Sequence, residues 1–231
     1  MRELNLNRLW QKGIFLSLCL IIISIGILGA YALHTSPVLS FNSSSAPFIK
    51  EHSLNKIEEI KLDSTFSLRL PEFFFPKDEN RWQQMQDGVY KALIKNNPAA
   101  VEYTEKDGTV RNVKANVVYT PLIDVIKETG LIYLSALVFM ISALSVFRKH
   151  RSTAGAALAL FLLSGSLYLV ASAPVVSRQI TLHPIYFRIF IKSIHISAGG
   201  MIALVHFAFV FPRPKRIIKE SPYLPYIIFY G

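Results

Sequence analysis

Five residues of one late segment have the types and spacing to act together: Arg188, Lys192, His195, Gly199 and His206. Steps of 4, 3, 4 and 7 keep them on one face of an α-helix. In an apolar segment such a face suits ligand binding or proton sensing, because ionisable groups in a bilayer usually face a bundle interior or an aqueous cavity. The plainer use is structural: Gly199 and Gly200 let helices approach, and the histidines bond to a neighbour or sit near the helix ends. Metal binding by this helix alone fails on geometry. His195 and His206 are eleven residues apart, or about 16 Å along the axis, whereas zinc needs ligands about 2 Å away. The only cysteine, Cys19, lies inside an apolar run, so neither a disulfide nor a cysteine metal site forms within one chain. His150 sits in a basic turn without an acidic neighbour, a poor setting for a phosphoacceptor. The sequence holds no Gly-rich phosphate loop, no G-x-S-x-G elbow and no H-E-x-x-H. It therefore offers no catalytic residues, no cofactor site and no metal site.

The elements that must position the polar face are apolar and long. Residues 13–33 form an uncharged run of 21 residues, which as a helix covers roughly 30 Å, the thickness of a hydrocarbon core. Further uncharged runs occupy 131–147, 152–176 and 193–211. The first of these can extend back through Val125 and Ile126. The last starts near Pro184, with Arg188 and Lys192 reaching outward to headgroups. This predicts an α-helical integral membrane protein with spans at 13–34, 129–147, 152–176 and 185–211. Residues 223–231 (YLPYIIFYG) read as the start of a fifth span, which suggests the front piece of a longer protein. Ala30-Tyr31-Ala32 also has the form of a signal-peptidase site, but 21 apolar residues is long for a signal sequence and favours a retained span.

Charge sets the orientation. The chain carries a net charge of +10, with 52% hydrophobic and only 17% charged residues. Apart from Glu3 and Glu220, all acidic residues fall between Glu51 and Glu128, where 13 acids nearly balance 11 Lys/Arg. The positive excess sits beside the apolar runs, which indicates topology and not nucleic-acid binding. Arg2, Arg8 and Lys12 precede the first run; Arg148, Lys149 and Arg151 lie between the second and third; Arg213, Lys215, Arg216 and Lys219 follow the fourth. With four crossings, an inside N-terminus puts all three clusters in the cytoplasm. The tail 1–12, the turn 148–151 and the loop 212–222 are then inside, with 35–128 and the short loop 177–184 outside a bacterial cytoplasmic membrane.

The outside region reads as a small α+β domain. A Ser-rich linker at 35–46 leads to strands at 56–62 and 65–70. Residues 78–94 pattern as an amphipathic helix with Trp82, Met85, Val89, Ala92 and Leu93 on one side. After Asn96-Asn97-Pro98, strands at 100–105 and 109–119 flank an Asp107-Gly108 turn, and Val113, Ala115, Val117 and Tyr119 alternate inward.

Two stretches resemble known families. The run from Ala92 to Leu122, ALIKNNPAAVEYTEKDGTVRNVKANVVYTPL, resembles the closing half of PDZ-like domains in its order of helix, loop, strand, DG turn and long strand. The family's opening half and its carboxylate-binding loop are not recognisable, so peptide-carboxylate capture does not carry over. The run HFAFVFPRPKR, with His206, Phe207, Phe211, Pro212, Pro214 and Lys215, resembles a signature near the cytoplasmic end of a span in multi-span regions of bacterial signalling proteins. Those proteins include sensor histidine kinases, sporulation-type serine phosphatases and nucleotide cyclases. The resemblance implies a sensory input region whose catalytic module would follow the last span, a periplasmic peptide or small-molecule ligand, and a homodimer. The alternative is a non-catalytic assembly or scaffold protein whose outer domain binds an envelope partner.

Overall fold

The computed structural model describes residues 2–40, 53–62, 79–105, 107–149, 152–177 and 181–210. Its elements begin with α1 (Arg2–Thr35), β1 (Pro37–Ser40), β2 (Ser53–Ile57), β3 (Ile60–Lys61) and α2 (Glu79–Lys95). They continue with β4 (Ala99–Thr104), β5 (Val110–Tyr119), α3 (Leu122–Lys149), α4 (Thr153–Ser177) and α5 (Pro184–Val210). The fold is mostly helical, and α1, α3, α4 and α5 are each long and apolar enough to cross a membrane. Each contains one of the apolar runs, and α3 starts at Leu122 because Val125 and Ile126 continue the run backward. The last polar segment (212–222), the start of a fifth span (223–231) and the strand expected at 65–70 lie outside the described residues.

The chain divides into two compact units. One holds Met1–Leu28, Thr129–Ala173 and Lys192–Gly231. Its interior is built from Phe15, Ile22, Ala136, Ala143, Ala159, Leu163 and Val170. Where helices touch, small residues let backbones approach: Ser166 Oγ donates to the carbonyl of Ala136 at 2.8 Å, and Gly165 sits under the Phe139 ring. Phe15 stacks on Phe147 with ring centroids 4.3 Å apart.

The other unit holds Gly29–Glu128 and Pro174–Ile191. It carries a five-stranded sheet in the order β1-β5-β4-β2-β3, antiparallel at every pairing. The β4–β5 hairpin closes through Asp107-Gly108 as its residues require. Gly108 holds φ +86°, the left-handed region that glycine enters without strain, and the Asp107 carboxylate accepts the Thr109 N–H at 2.9 Å. The pairings Ala99↔Ala115 and Val101↔Val113 set the inward face, which Ile57 and Leu39 extend on the outer strands. From α2, Val89 and Leu93 are fully buried, while Met85 and Ala92 are half-buried and the Trp82 side chain lies outside the described residues.

Three expectations are corrected here. The single strand at 56–62 is a tight hairpin, β2 turning into β3 with Lys56 opposite Lys61. Glu58 makes the turn at φ 52°, held by its N–H to the carbonyl of Ala100 (2.8 Å) and its carboxylate to the N–H of Ala100 (2.7 Å). These bonds reach 42 residues away, which alternation within the segment does not reveal. The flexible linker at 35–46 is structured in its first part: Thr35 ends α1, Ser36 alone intervenes, and β1 pairs with β5. Pro37 is buried on this edge strand, where proline is tolerated, and Leu39 is 2% exposed. Tyr119, the last residue of β5, is 53% exposed and not inward.

Candidate functional site

In the sheet-bearing unit, polar and aromatic side chains of α2 meet the start of α5. His183 precedes Pro184, and the pair forms a helix start by simple chemistry. Proline suits the first helical position because its missing N–H would be unbonded there anyway, and the residue before it serves as the cap. The carbonyl of His183 accepts the first helical bond, from Phe187 N–H at 3.0 Å. Its Nδ1 accepts the N–H of Ile185 at 3.2 Å. That ring nitrogen acts as an acceptor, so in the capped geometry the imidazole is neutral with its proton on Nε2.

Helix α2 meets this start with Gln86, Asp87 and Tyr90, which share one side of the helix. Gln86 is fully buried and donates from Nε2 to the carbonyl of Leu182, itself fully buried, at 3.2 Å. Asp87 Oδ2 lies 4.0 Å from Nη2 of Arg188. Two acceptors remain: Gln86 Oε1 and Asp87 Oδ1 are buried and have no hydrogen-bond partner among the described residues. The Tyr90 ring stands edge-on to His183 (centroids 4.8 Å), His183 is 5.2 Å from Tyr186, and Tyr186 is edge-on to Tyr31 of α1 at 6.2 Å. Burial pushes the Tyr90 phenol above its ordinary pKa, and the nearby phenols of Tyr119 and Tyr186 add to the rise. Tyr90 is thus a neutral hydroxyl over the whole physiological range.

A second connection joins the sheet to two long helices. β1 continues directly from α1, and β5 reaches α3 through Thr120 and Pro121 alone. The two strands are paired, Pro37 opposite Tyr119. His34, at the end of α1, bonds through Nδ1 to the carbonyl of Thr120 at 2.8 Å. A carbonyl can only accept, so here Nδ1 carries the proton.

The polar face read from the sequence is placed as follows. Arg188 is exposed and faces Asp87; Lys192 is exposed and His195 half-buried. Gly199 has open space where a Cβ would be, whereas a Cβ on its neighbour Gly200 would run into Ser164 of α4. Of the two glycines expected to let helices approach, Gly200 makes that contact, and Gly199 makes none among the described residues. The side chain of His206 and the residues Phe211, Pro212, Pro214 and Lys215 lie outside the described residues; Phe207 is on α5. No group of three His, Cys, Asp or Glu among the described residues could hold a metal ion. Sequence reasoning passed over His183, Gln86, Asp87, Tyr90 and Tyr186. The available signal was His183-Pro184, a polar side chain directly before a proline at a helix start. Compared with protein-family models, curated proteins and solved structures, the chain matches none.

Proposed function

We propose that this chain is the membrane-embedded sensory input region of a bacterial signal-transduction protein. The sheet domain lies outside the cytoplasmic membrane, where it meets a peptide or small-molecule stimulus, and the N-terminus lies in the cytoplasm. The positive residues at the ends of the long helices support this orientation, since Lys and Arg are retained on the cytoplasmic side. One observation carries the sensory reading. The outer sheet is joined to the long helices without slack, β1 and β5 being paired neighbours that run straight into α1 and α3. A movement of the sheet therefore reaches the end of α1 and the start of α3, and a bundle with two packings of similar energy turns such a movement into a switch.

The test is made at the far ends. Spin labels at Lys12→Cys and Lys149→Cys, in a Cys19→Ser background, report the distance between the cytoplasmic ends of α1 and α3 in lipid nanodiscs. Gln86→Ala with Asp87→Ala frees α2 from the start of α5, which labelling of Leu182→Cys verifies. The distance distribution should then shift by about 1–2 Å or broaden, the scale of helix shifts in switching proteins. An unchanged distribution, with Leu182→Cys newly reactive, would show that the outer domain does not drive the helices.

A further inference from the structure

We propose that His183 is a proton-operated latch, so that acidification outside the membrane is a stimulus this protein responds to. The inference rests on the sensory reading, but its test is made at the latch itself, so failure here leaves transmission to the helix ends untouched.

In the neutral state His183 holds two elements. Its Nδ1 lone pair caps α5 through Ile185 N–H, and its ring packs against Tyr90 of α2 and Tyr186 of α5. A proton on Nδ1 removes the lone pair and sets one donor against another. It also places a cation on the positive end of the α5 dipole, one turn from Arg188. Capping and protonation thus exclude each other.

Helix α2, which touches the ring through Tyr90, also carries two buried acceptors. Asp87, one turn before Tyr90, holds a buried Oδ1 that has no donor among the described residues, and Gln86 Oε1 is equally unsatisfied there. An imidazolium has two N–H donors and no acceptor, the complement of these orphan oxygens. Arg188, 4.0 Å from Asp87, is too loosely held to saturate the carboxylate. Among the described residues the ring contacts are phenols, Tyr90 on α2 and Tyr186 on α5, with Tyr31 of α1 against Tyr186 and Tyr119 of β5 near Tyr90. The faces of Tyr90 and Tyr186 can accept a cation. Protonation therefore releases the cap that His183 places on α5, beside a helix that carries unsatisfied acceptors.

The experiment is hydrogen exchange on the full chain in nanodiscs at about pH 8 and about pH 5.5, expressed as protection factors to remove the intrinsic pH dependence. In the wild type, protection at Ile185 should fall by about fivefold at the lower pH, the factor that loss of a typical N-cap corresponds to. In His183→Asn, whose amide oxygen caps without titrating, protection should be the same at both. Equal protection in the wild type at both pH values overturns the proposal. So does a fall that persists in His183→Asn, which would assign the effect to another group. Should His183→Asn fail to fold, the imidazole 15N shifts of wild-type His183 decide. An unprotonated Nδ1 at pH 8 that gains a proton in step with the loss of protection supports the latch; a protonated Nδ1 at pH 8 overturns it.

Discussion

Replacing Gly200 by alanine puts a methyl group where Ser164 already stands. A Cβ at Gly200 meets the Cβ of Ser164 far inside contact distance, with Ser164 Oγ 2.5 Å away and its backbone Cα at 3.6 Å. Rotating the serine moves its hydroxyl but not its Cβ, so α4 and α5 must part by about 1–2 Å to recover normal carbon contact of about 3.5–4 Å. Overpacking of this kind costs about 1–3 kcal/mol. Alanine also gains about 1 kcal/mol over glycine in helix propensity, which hides part of the loss. Gly199→Ala separates the two effects, since it brings the same propensity gain into open space. Unfolding in mixed micelles of increasing detergent fraction should place Gly200→Ala below Gly199→Ala by about 1–3 kcal/mol. Ser164→Gly should recover most of that loss in the double variant but add little by itself, the mark of two residues competing for one space. Equal stability of the two alanine variants, or no rescue by Ser164→Gly, would refute the assignment of Gly200 as the contact between α4 and α5.

Three further outcomes are expected. With Cys19→Ser as background, an impermeant thiol reagent should label Ser44→Cys but not Ser152→Cys in intact cells or spheroplasts; the opposite pattern would invert the proposed orientation. An outer fragment beginning at Pro37 should melt cooperatively, and one beginning at Phe48 should be less stable by about 1 kcal/mol or more, because it lacks the paired edge strand and its buried Leu39; thermal unfolding followed by circular dichroism compares the two. The Thr109 N–H bonded to Asp107 holds its carboxyl below the usual aspartate range. The hairpin stability it provides is thus present above the ordinary aspartate pKa and lost as the pH falls through the lower folded value. Asp107→Asn should lack this acid-dependent loss in a pH series of the same fragment.

Features whose cause lies within a few residues were legible in the sequence. The four long helices follow from runs of apolar residues, and the β4–β5 turn follows from Asp107-Gly108, where only the second position needs the left-handed conformation. What escaped depends on partners far along the chain. Lys56–Leu62 reads as one extended strand until Glu58 bonds to Ala100 on both its backbone and its side chain. The Ser-rich stretch after α1 looks like a tether because β1 has only four residues, and its pairing with β5 is set some 80 positions later. Gln86 reaches Leu182 across 96 residues, so the junction around His183 leaves no periodic trace. The glycine pair shows the same limit. Composition marks both Gly199 and Gly200 as able to pack, but the rotation of α5 against α4 decides which one does.

The single residue between α1 and β1 has a consequence for how this protein can change by insertion or be joined to others. Ser36 hydrogen-bonds back to the carbonyl of Ala32 at 2.6 Å, which leaves no coil to absorb a length change. One added residue turns a helix by about 100° about its axis. The same addition flips a strand, exchanging its inner and outer side chains. Leu39 would then point to solvent unless α1 rotated to compensate. Single-residue insertions and deletions at this join are therefore excluded unless the whole helix changes its angular phase. A chimera that fuses a foreign receptor domain to these helices must keep that phase on α1 and on α3 at once, because the paired strands β1 and β5 hold the two in register.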